Sequence, residues 1–341
     1  MGEIKTDILN KSKLVSDLAT LLSFVKNGLF STVKGFKLAL VVMVLVFAIR
    51  AIVGGNLIPN AIANIVNAVK NNDYSAWSKL WIGIEIFVIA GILYIATEFM
   101  LYRYFLKLAE GIVELKKIVL ERIIYRKYGD NPEDLVGKIS SDIDFVVWNV
   151  NAVLTTFIPN LFTGISSAFT VLNFDKSIGI VAIITLLPYI ALAEYYSRKV
   201  EPIRLEERRS YSLSITAIRD AVYGIQNGNR ITNILSSWRK AMGSVMWYDR
   251  LFWGLGLTVQ PLSISLIAYL SVASIFREAI DAGTIAGILS ASLGAHSAMI
   301  NAVWALCIES QTVAAIKRIS SYLIDIDDKK HTTLIITRYR T

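Results

Sequence analysis

Apolar residues along this chain gather into six long stretches, from Phe36 to Leu57, Leu80 to Phe105, Val150 to Val171, Ile178 to Tyr196, Leu251 to Phe276 and Ile285 to Ile308. Each is close to or above the roughly 20 residues that a helix needs to cross about 30 Å of hydrocarbon. None keeps a consistently polar face, so a soluble fold would have to bury six helices on every side. The pattern predicts an all-α membrane protein with six transmembrane helices. A hydrophobic content of 54% and a mean hydropathy of +0.52 agree with it. The first stretch lies too far in, behind too many charges, for a cleaved signal peptide.

The spans between the stretches differ in length and charge. Seven Lys/Arg fall between Lys107 and Lys138 and ten between Arg198 and Arg250, whereas the three opposite loops hold Lys70, Lys79, Lys176 and Arg277. Positive charge collects on the cytoplasmic side of membrane proteins, so a multi-pass protein of the cell membrane with both termini cytoplasmic is expected. The net charge of +8 then reads as an orientation signal. Its basic residues are dispersed along helices without an aromatic-lined patch, and no nucleic-acid partner is expected. Before the first crossing, Leu14, Leu18, Leu21, Val25 and Leu29 recur at three- and four-residue steps, predicting an amphipathic helix along the cytoplasmic face within residues 1–35. Only Asn173 to Ser177 separate the third and fourth stretches, which makes those helices antiparallel neighbours.

The two long spans, 104–150 and 197–251, keep a helical apolar period, as in Leu108, Ile112, Leu115 and Ile118 or Ile218, Val222 and Ile225. An out-and-back hairpin of ~20 residues per limb carries the membrane helices ~30 Å into the cytoplasm. The first hairpin turns near Tyr128, Gly129, Asp130, Asn131 and Pro132, a run rich in turn formers. Such stalks imply a cytoplasmic partner, and loose basic loops are the alternative. The division is therefore residues 1–35, a six-helix membrane domain over 36–323 with the two stalks, and a cytoplasmic tail over 324–341, where Thr332 to Thr337 read as one strand or a disordered end.

Several polar residues fall within the crossings. Arg50, Glu85, Glu98 and Glu194 would each cost ~3 kcal/mol or more if unpaired in hydrocarbon. They are expected in the bundle interior, in a water-filled cavity or at the interfaces. Arg50 and Glu85, with Phe99, Tyr102, His296 and Trp304, are the candidate lining of a translocation cavity. A metal site is not expected, since the second histidine, His331, is in the tail and the one cysteine, Cys307, sits in an apolar stretch. Pro59, Pro159, Pro188 and Pro261 mark positions for kinks, and Gly54-Gly55 and Gly254-x-Gly256 permit close packing.

The stalk residues resemble a known family. Glu133, Asp134, Leu135, Val136, Gly137, Lys138, Ile139, Ser140, Ser141, Asp142, Ile143 and Asp144 resemble the run that follows the first stalk turn in the transmembrane domain of ABC exporters. Glu133 stands where that family usually has glycine, Gly137 where it often has serine and Lys138 where it often has arginine, while Asp142 and the apolar spacing are in register. Ala217 to Ile225 are similar to the family's second-stalk segment, an acidic residue followed by Gly-Ile, and Gln226 to Asn229 depart from its usual continuation. Gly283 to Gly287 enter the last crossing, and Ala314-Ala315-Ile316-Lys317-Arg318-Ile319 leave it, as the family's sixth helix does.

The resemblance spans roughly Phe36 to Leu323 and implies a six-helix half of an exporter encoded without its nucleotide-binding domain. No Gly-x-x-x-x-Gly-Lys-Ser/Thr loop is present: Pro132 stands where the first glycine of a loop ending in Gly137-Lys138 would be, and Ile139 where the hydroxyl would sit. The chain is thus not expected to be an enzyme by itself or to bind a cofactor, and ATP and magnesium belong to a partner. The implied partners are a second copy or a homologous transmembrane subunit, separate ABC ATPase subunits, and membrane lipids. Arg126, Lys127, Tyr128, Asp130 and Glu133 at one stalk tip, and Asp220, Tyr223 and Gly224 at the other, are the implied ATPase-coupling residues, with short coupling helices at both tips. The expected cargo is hydrophobic or amphipathic. Two other readings remain: a structural or regulatory membrane protein that keeps the exporter fold and pumps nothing, and an ion-coupled transporter, for which broken helices and inverted repeats would be expected.

Overall fold

The computed structural model describes residues 13–71, 74–126, 142–224, 228–276 and 280–319. Among these, nine main helices follow one another: α1 Lys13–Phe24, α2 Phe36–Ile52, α3 Ile58–Asn71, α4 Tyr74–Arg126, α5 Ile143–Phe174, α6 Lys176–Ile184, α7 Leu187–Val222, α8 Gly228–Ile275 and α9 Ala282–Ile319. Six stretches are long and apolar enough to cross a membrane: Phe36–Val69, Trp77–Glu121, Ile143–Phe174, Lys176–Val222, Arg230–Ile275 and Ala282–Ile308. The chain is a multi-pass, all-α membrane protein by that measure. The tail, with the proposed strand at Thr332 to Thr337, lies outside the described residues.

Local sequence explains where helices pause. α1 passes through a π turn, Val25–Leu29, and a short helix, Phe30–Thr32, before Gly35 takes φ 81° and starts α2, a left-handed conformation suited to glycine. A second π turn, Val53–Leu57, joins α2 to α3 within the first crossing. Here Gly55 lies so close to α5 that a Cβ would stand 2.8 Å from Ser166 Cβ and 2.9 Å from the Ser167 amide nitrogen. Asn56 Nδ2 donates to Thr170 Oγ1 at 2.9 Å. Between α5 and α6 only Asp175 is non-helical, and its carboxylate accepts from the Ile178 amide at 2.9 Å, satisfying a donor that the helix start leaves open. As expected from the short loop, α5 and α6 pack against each other.

The fourth crossing is broken just before Pro188, one of the positions that the sequence marks for a kink. α6 ends at Ile184 and α7 begins at Leu187, because Pro188 has no amide to donate and the Thr185 hydroxyl donates to the Ala182 carbonyl at 2.7 Å.

α9 is the axis of the bundle. It packs along α5 and also meets α1, α3, α7 and α8, and it contributes to all three apolar clusters. At one end Ala315, Ile316 and Ile319 join residues of α1, α2, α4 and α5. At the other, Ile288 and Ala291 meet Ile178, Ala182 and Ile267. The same end is fastened by Asp281, which accepts from the Thr284 amide at 2.7 Å and from Asn67 Nδ2 at 3.1 Å, while Asn67 Oδ1 accepts from the Gly283 amide at 3.0 Å. The apolar face of α1 is likewise covered by protein: Leu21, Phe24, Val25 and Leu29 are buried in the core, where the sequence suggested a helix lying on the membrane face.

With 53 residues α4 is about 80 Å long, and with 48 residues α8 is about 72 Å. Both far exceed a ~30 Å hydrocarbon layer. The surplus of each helix forms one limb of a stalk, and the two stalks leave the bundle at the same end, where Phe145 of α5 meets Arg208 of α7.

Candidate functional site

Two sets of residues bear on function: the polar positions within the crossings and the stalks with their tips. Among the first, Arg50 is an organised centre. Its Nε donates to Thr97 Oγ1 at 2.6 Å, and its Nη2 donates to the Tyr94 carbonyl at 3.0 Å and to Glu98 Oε1 at 2.8 Å. The guanidinium also lies 5.7 Å from the centre of the Tyr94 ring. Arg50 therefore pairs with Glu98 across α2 and α4, and Glu85, exposed on α4, has no hydrogen bond or ion pair among the described residues.

The other proposed cavity residues are spread apart. Phe99 and Tyr102 are 77% and 62% exposed on the outer surface of α4. His296 is buried on α9 opposite the break in the fourth crossing, with Nε2 3.3 Å from Thr185 Oγ1 and Nδ1 3.2 Å from the Tyr189 hydroxyl. Because Thr185 already donates its proton to Ala182, Nε2 is the donor in its contact with Thr185, and Nδ1 is paired with the Tyr189 hydroxyl. Trp304 belongs to an aromatic group with Tyr196, Phe252 and Trp253, at ring separations of 5.2–5.9 Å. One chain alone does not gather these six residues into a single cavity.

Where the stalks leave the bundle, ions and rings tie them together. Lys116 of α4 pairs with Asp144 of α5 at 2.7 Å. The Arg208 guanidinium of α7 lies 3.5 Å from the centre of the Phe145 ring of α5, a contact whose strength rises as it is desolvated. Glu207 accepts from Arg204 at 3.2 Å and from the Trp238 indole of α8 at 3.1 Å. Asp142, which the family resemblance put in register, is buried here. At the foot of α1, Lys13 bridges Asp17 and Glu201, and its amide donates to Glu194 at 3.0 Å. Burial opposes the charge on Lys13, but its hydrogen bonds and attraction to the two carboxylates outweigh that, and its pKa is raised. The sequence hinted at this centre only through the three-residue Arg204/Glu207 spacing; the contacts between helices carried no signal in a single sequence.

At the second tip, Val222 and Tyr223 are 78% and 72% exposed. Gly224 has φ 71° and turns the chain, while Asp220 is held by Arg219 at 2.9 Å. Ala217 to Val222 are the last turns of α7, and among the described residues this limb ends without a separate coupling helix. At the first tip, Lys127, Tyr128, Asp130 and Glu133, and the side chain of Arg126, lie outside the described residues. No group of three or more metal-ligating side chains occurs among the described residues. Neither protein-family models nor curated proteins match this chain.

Proposed function

We propose that this chain is the transmembrane subunit of an ATP-driven exporter, which lends the path and the gate while separate ABC ATPase subunits supply hydrolysis. The observation that carries this reading is the α7–α8 hairpin, whose tip presents Val222 and Tyr223 to solvent well beyond the crossings. An ordered limb of this length with an apolar, aromatic end is suited to docking, since buried aromatic anchors dominate interface energies.

In this reading the tips contact the ATPases, ATP-driven closure moves the stalks, and the crossings expose a site to alternate sides as packed bodies shift. The Arg208–Phe145 stacking passes that movement between the stalks, and the Lys116–Asp144 salt bridge holds α4 to α5 within the first. A second copy or a homologous subunit completes the cavity, bringing Glu85, Phe99 and Tyr102 of the exposed α4 face against a partner. The cargo is hydrophobic or amphipathic, and ATP and magnesium stay with the partner.

Tyr223→Ala tests the reading. Membrane insertion and melting temperature in detergent should be unchanged, because the side chain packs on nothing in its own chain that would hold it from solvent. Retention of the co-expressed ATPase should fall about tenfold or more, along with cargo-stimulated hydrolysis. Unchanged retention and hydrolysis would contradict a docking role for the tip.

A further inference from the structure

We propose that the groove between α7 and α8 next to the membrane binds a zwitterionic phospholipid from the leaflet on the stalk side. This rests on the six crossings and not on the export reading.

The two helices are clamped at two levels. Nearer the membrane, the Tyr196 hydroxyl donates to Asp249 and the Tyr196 ring meets Phe252 at 5.6 Å. Farther out, the Trp238 indole donates to Glu207 and meets Tyr211 at 5.3 Å. Between the clamps α8 offers the small Ala241, Gly243 and Ser244 opposite Pro202 and Ile203 of α7, and the gap stays open. The result is an open groove of about 970 Å³. A Cβ on Gly243 would meet nothing within 4 Å.

The polarity of the groove is graded. In the antiparallel register set by the clamps, Glu206 and Lys240 are the residues of opposite walls at the outer end, and Trp247 and Tyr248 line the end nearest the crossing. Neither Glu206 nor Lys240 has an ion-pair partner among the described residues, and the 67% exposed Trp247 has no ring or hydrogen-bond partner there. An unpaired acid and an unpaired base on opposite walls call for a ligand that carries both charges, an ammonium for Glu206 and a phosphate for Lys240. The aromatic end calls for an apolar tail. Counting from Leu251 at 1.5 Å per residue, Trp247 stands about 6 Å from the crossing and Lys240 about 16 Å. A headgroup between Glu206 and Lys240 is therefore drawn about 10 Å past the headgroup layer, and Trp247, Tyr248 and Pro202 cover the first acyl carbons.

The test uses the full chain in nanodiscs of anionic phosphatidylglycerol, titrated with phosphatidylethanolamine carrying brominated acyl chains. The readout is the part of the tryptophan quenching lost in Trp247→Phe. Saturable quenching is expected. Glu206→Gln and Lys240→Met should each weaken it about tenfold, as loss of a charged hydrogen-bond partner does, and Gly243→Leu should abolish it by filling the groove. Melting temperatures should stay constant, since Glu206, Lys240 and Gly243 are exposed. Equal quenching by brominated phosphatidylglycerol, or indifference to all three groove variants, would overturn the proposal. Competition by water-soluble glycerophosphoethanolamine as strong as that by the intact lipid would assign the site to a free zwitterion and overturn the lipid. Protection of Trp247 from every lipid when a partner subunit is bound would make the groove a protein interface, also against it. Loss of ATPase binding at the tip leaves this outcome untouched, so the two readings fail separately.

Discussion

α4 and α9 both cross the membrane by length and composition, yet the more apolar helix is the one left outside. In its crossing window α4 is 17% buried and α9 56%. The difference lies in side-chain size. α9 carries Gly283, Gly287, Ala291, Ser292, Ala295, Ala298, Ala302 and Ala305 along its buried length, whereas α4 presents Trp77, Trp81, Phe87, Ile92, Phe99 and Tyr102 outward. In lipid, where hydrophobicity cannot draw helices together, close backbone approach and hydrogen bonds do so.

The largest effect should come from testing that contrast with the same substitution in both helices. A Cβ on Gly283 would stand 2.4 Å from the Ala63 carbonyl oxygen and 2.3 Å from Asn67, and backbone cannot yield as a side chain can. Gly283→Val should destabilise by about 3 kcal/mol or more. Gly91→Val on α4, where a Cβ meets nothing within 4 Å, should stay within about 0.5 kcal/mol. Unfolding in mixed micelles measures both, and equal losses would remove the distinction.

A smaller effect is expected at the polar junction that Arg50 makes between α2 and α4. Arg50→Met should cost about 2 kcal/mol, because a mostly buried guanidinium satisfies Thr97 and the Tyr94 carbonyl. Glu98→Gln should cost less than about 1 kcal/mol, because the glutamine carbonyl can still accept from Arg50 Nη2. The reverse order would place Glu98, and not the α2–α4 contact, at the heart of this junction. Smaller again is Tyr189→Phe at about 0.6 kcal/mol, the mean for hydrogen bonds between membrane helices. It removes the hydroxyl bonded to His296 Nδ1, and the combined loss with His296→Leu should fall short of the sum.

The smallest effect concerns pH. The raised pKa of Lys13 means that its contribution is complete below the ordinary lysine value of 10.5 and is lost as pH rises through the higher folded value. The melting-temperature gap between the wild-type chain and Lys13→Met should be constant from pH 7 to 9 and narrow above about pH 10.5. A gap that widens there would reverse the sign.

The six crossings, and the helical continuation of α4, α7 and α8 past them, were legible because hydropathy and helical period are properties of one segment at a time. Inter-helix pairings were not. Arg50 meets Glu98 and not Glu85 because of the register between α2 and α4, and register is set by both helices and their neighbours. Phe99 and Tyr102 face outward although their composition matches that of cavity residues. His296, read from the sequence as a cavity residue, has its partners on the broken fourth crossing, and these depended on where Thr185 and Pro188 stopped α6. The apolar face of α1 was readable; that α9 and α7 cover it was not, since an amphipathic face fits lipid and protein alike.

The central claim is that the stalk tips lie in the cytoplasm, opposite the short loops. With Cys307→Ser as background, single cysteines at Tyr223 and at the exposed Asn173 can be labelled with a membrane-impermeant maleimide in intact cells and in inverted vesicles. Tyr223→Cys should react only in inverted vesicles and Asn173→Cys only in intact cells. Labelling of Tyr223→Cys from outside, or of both positions from one side, would contradict the account.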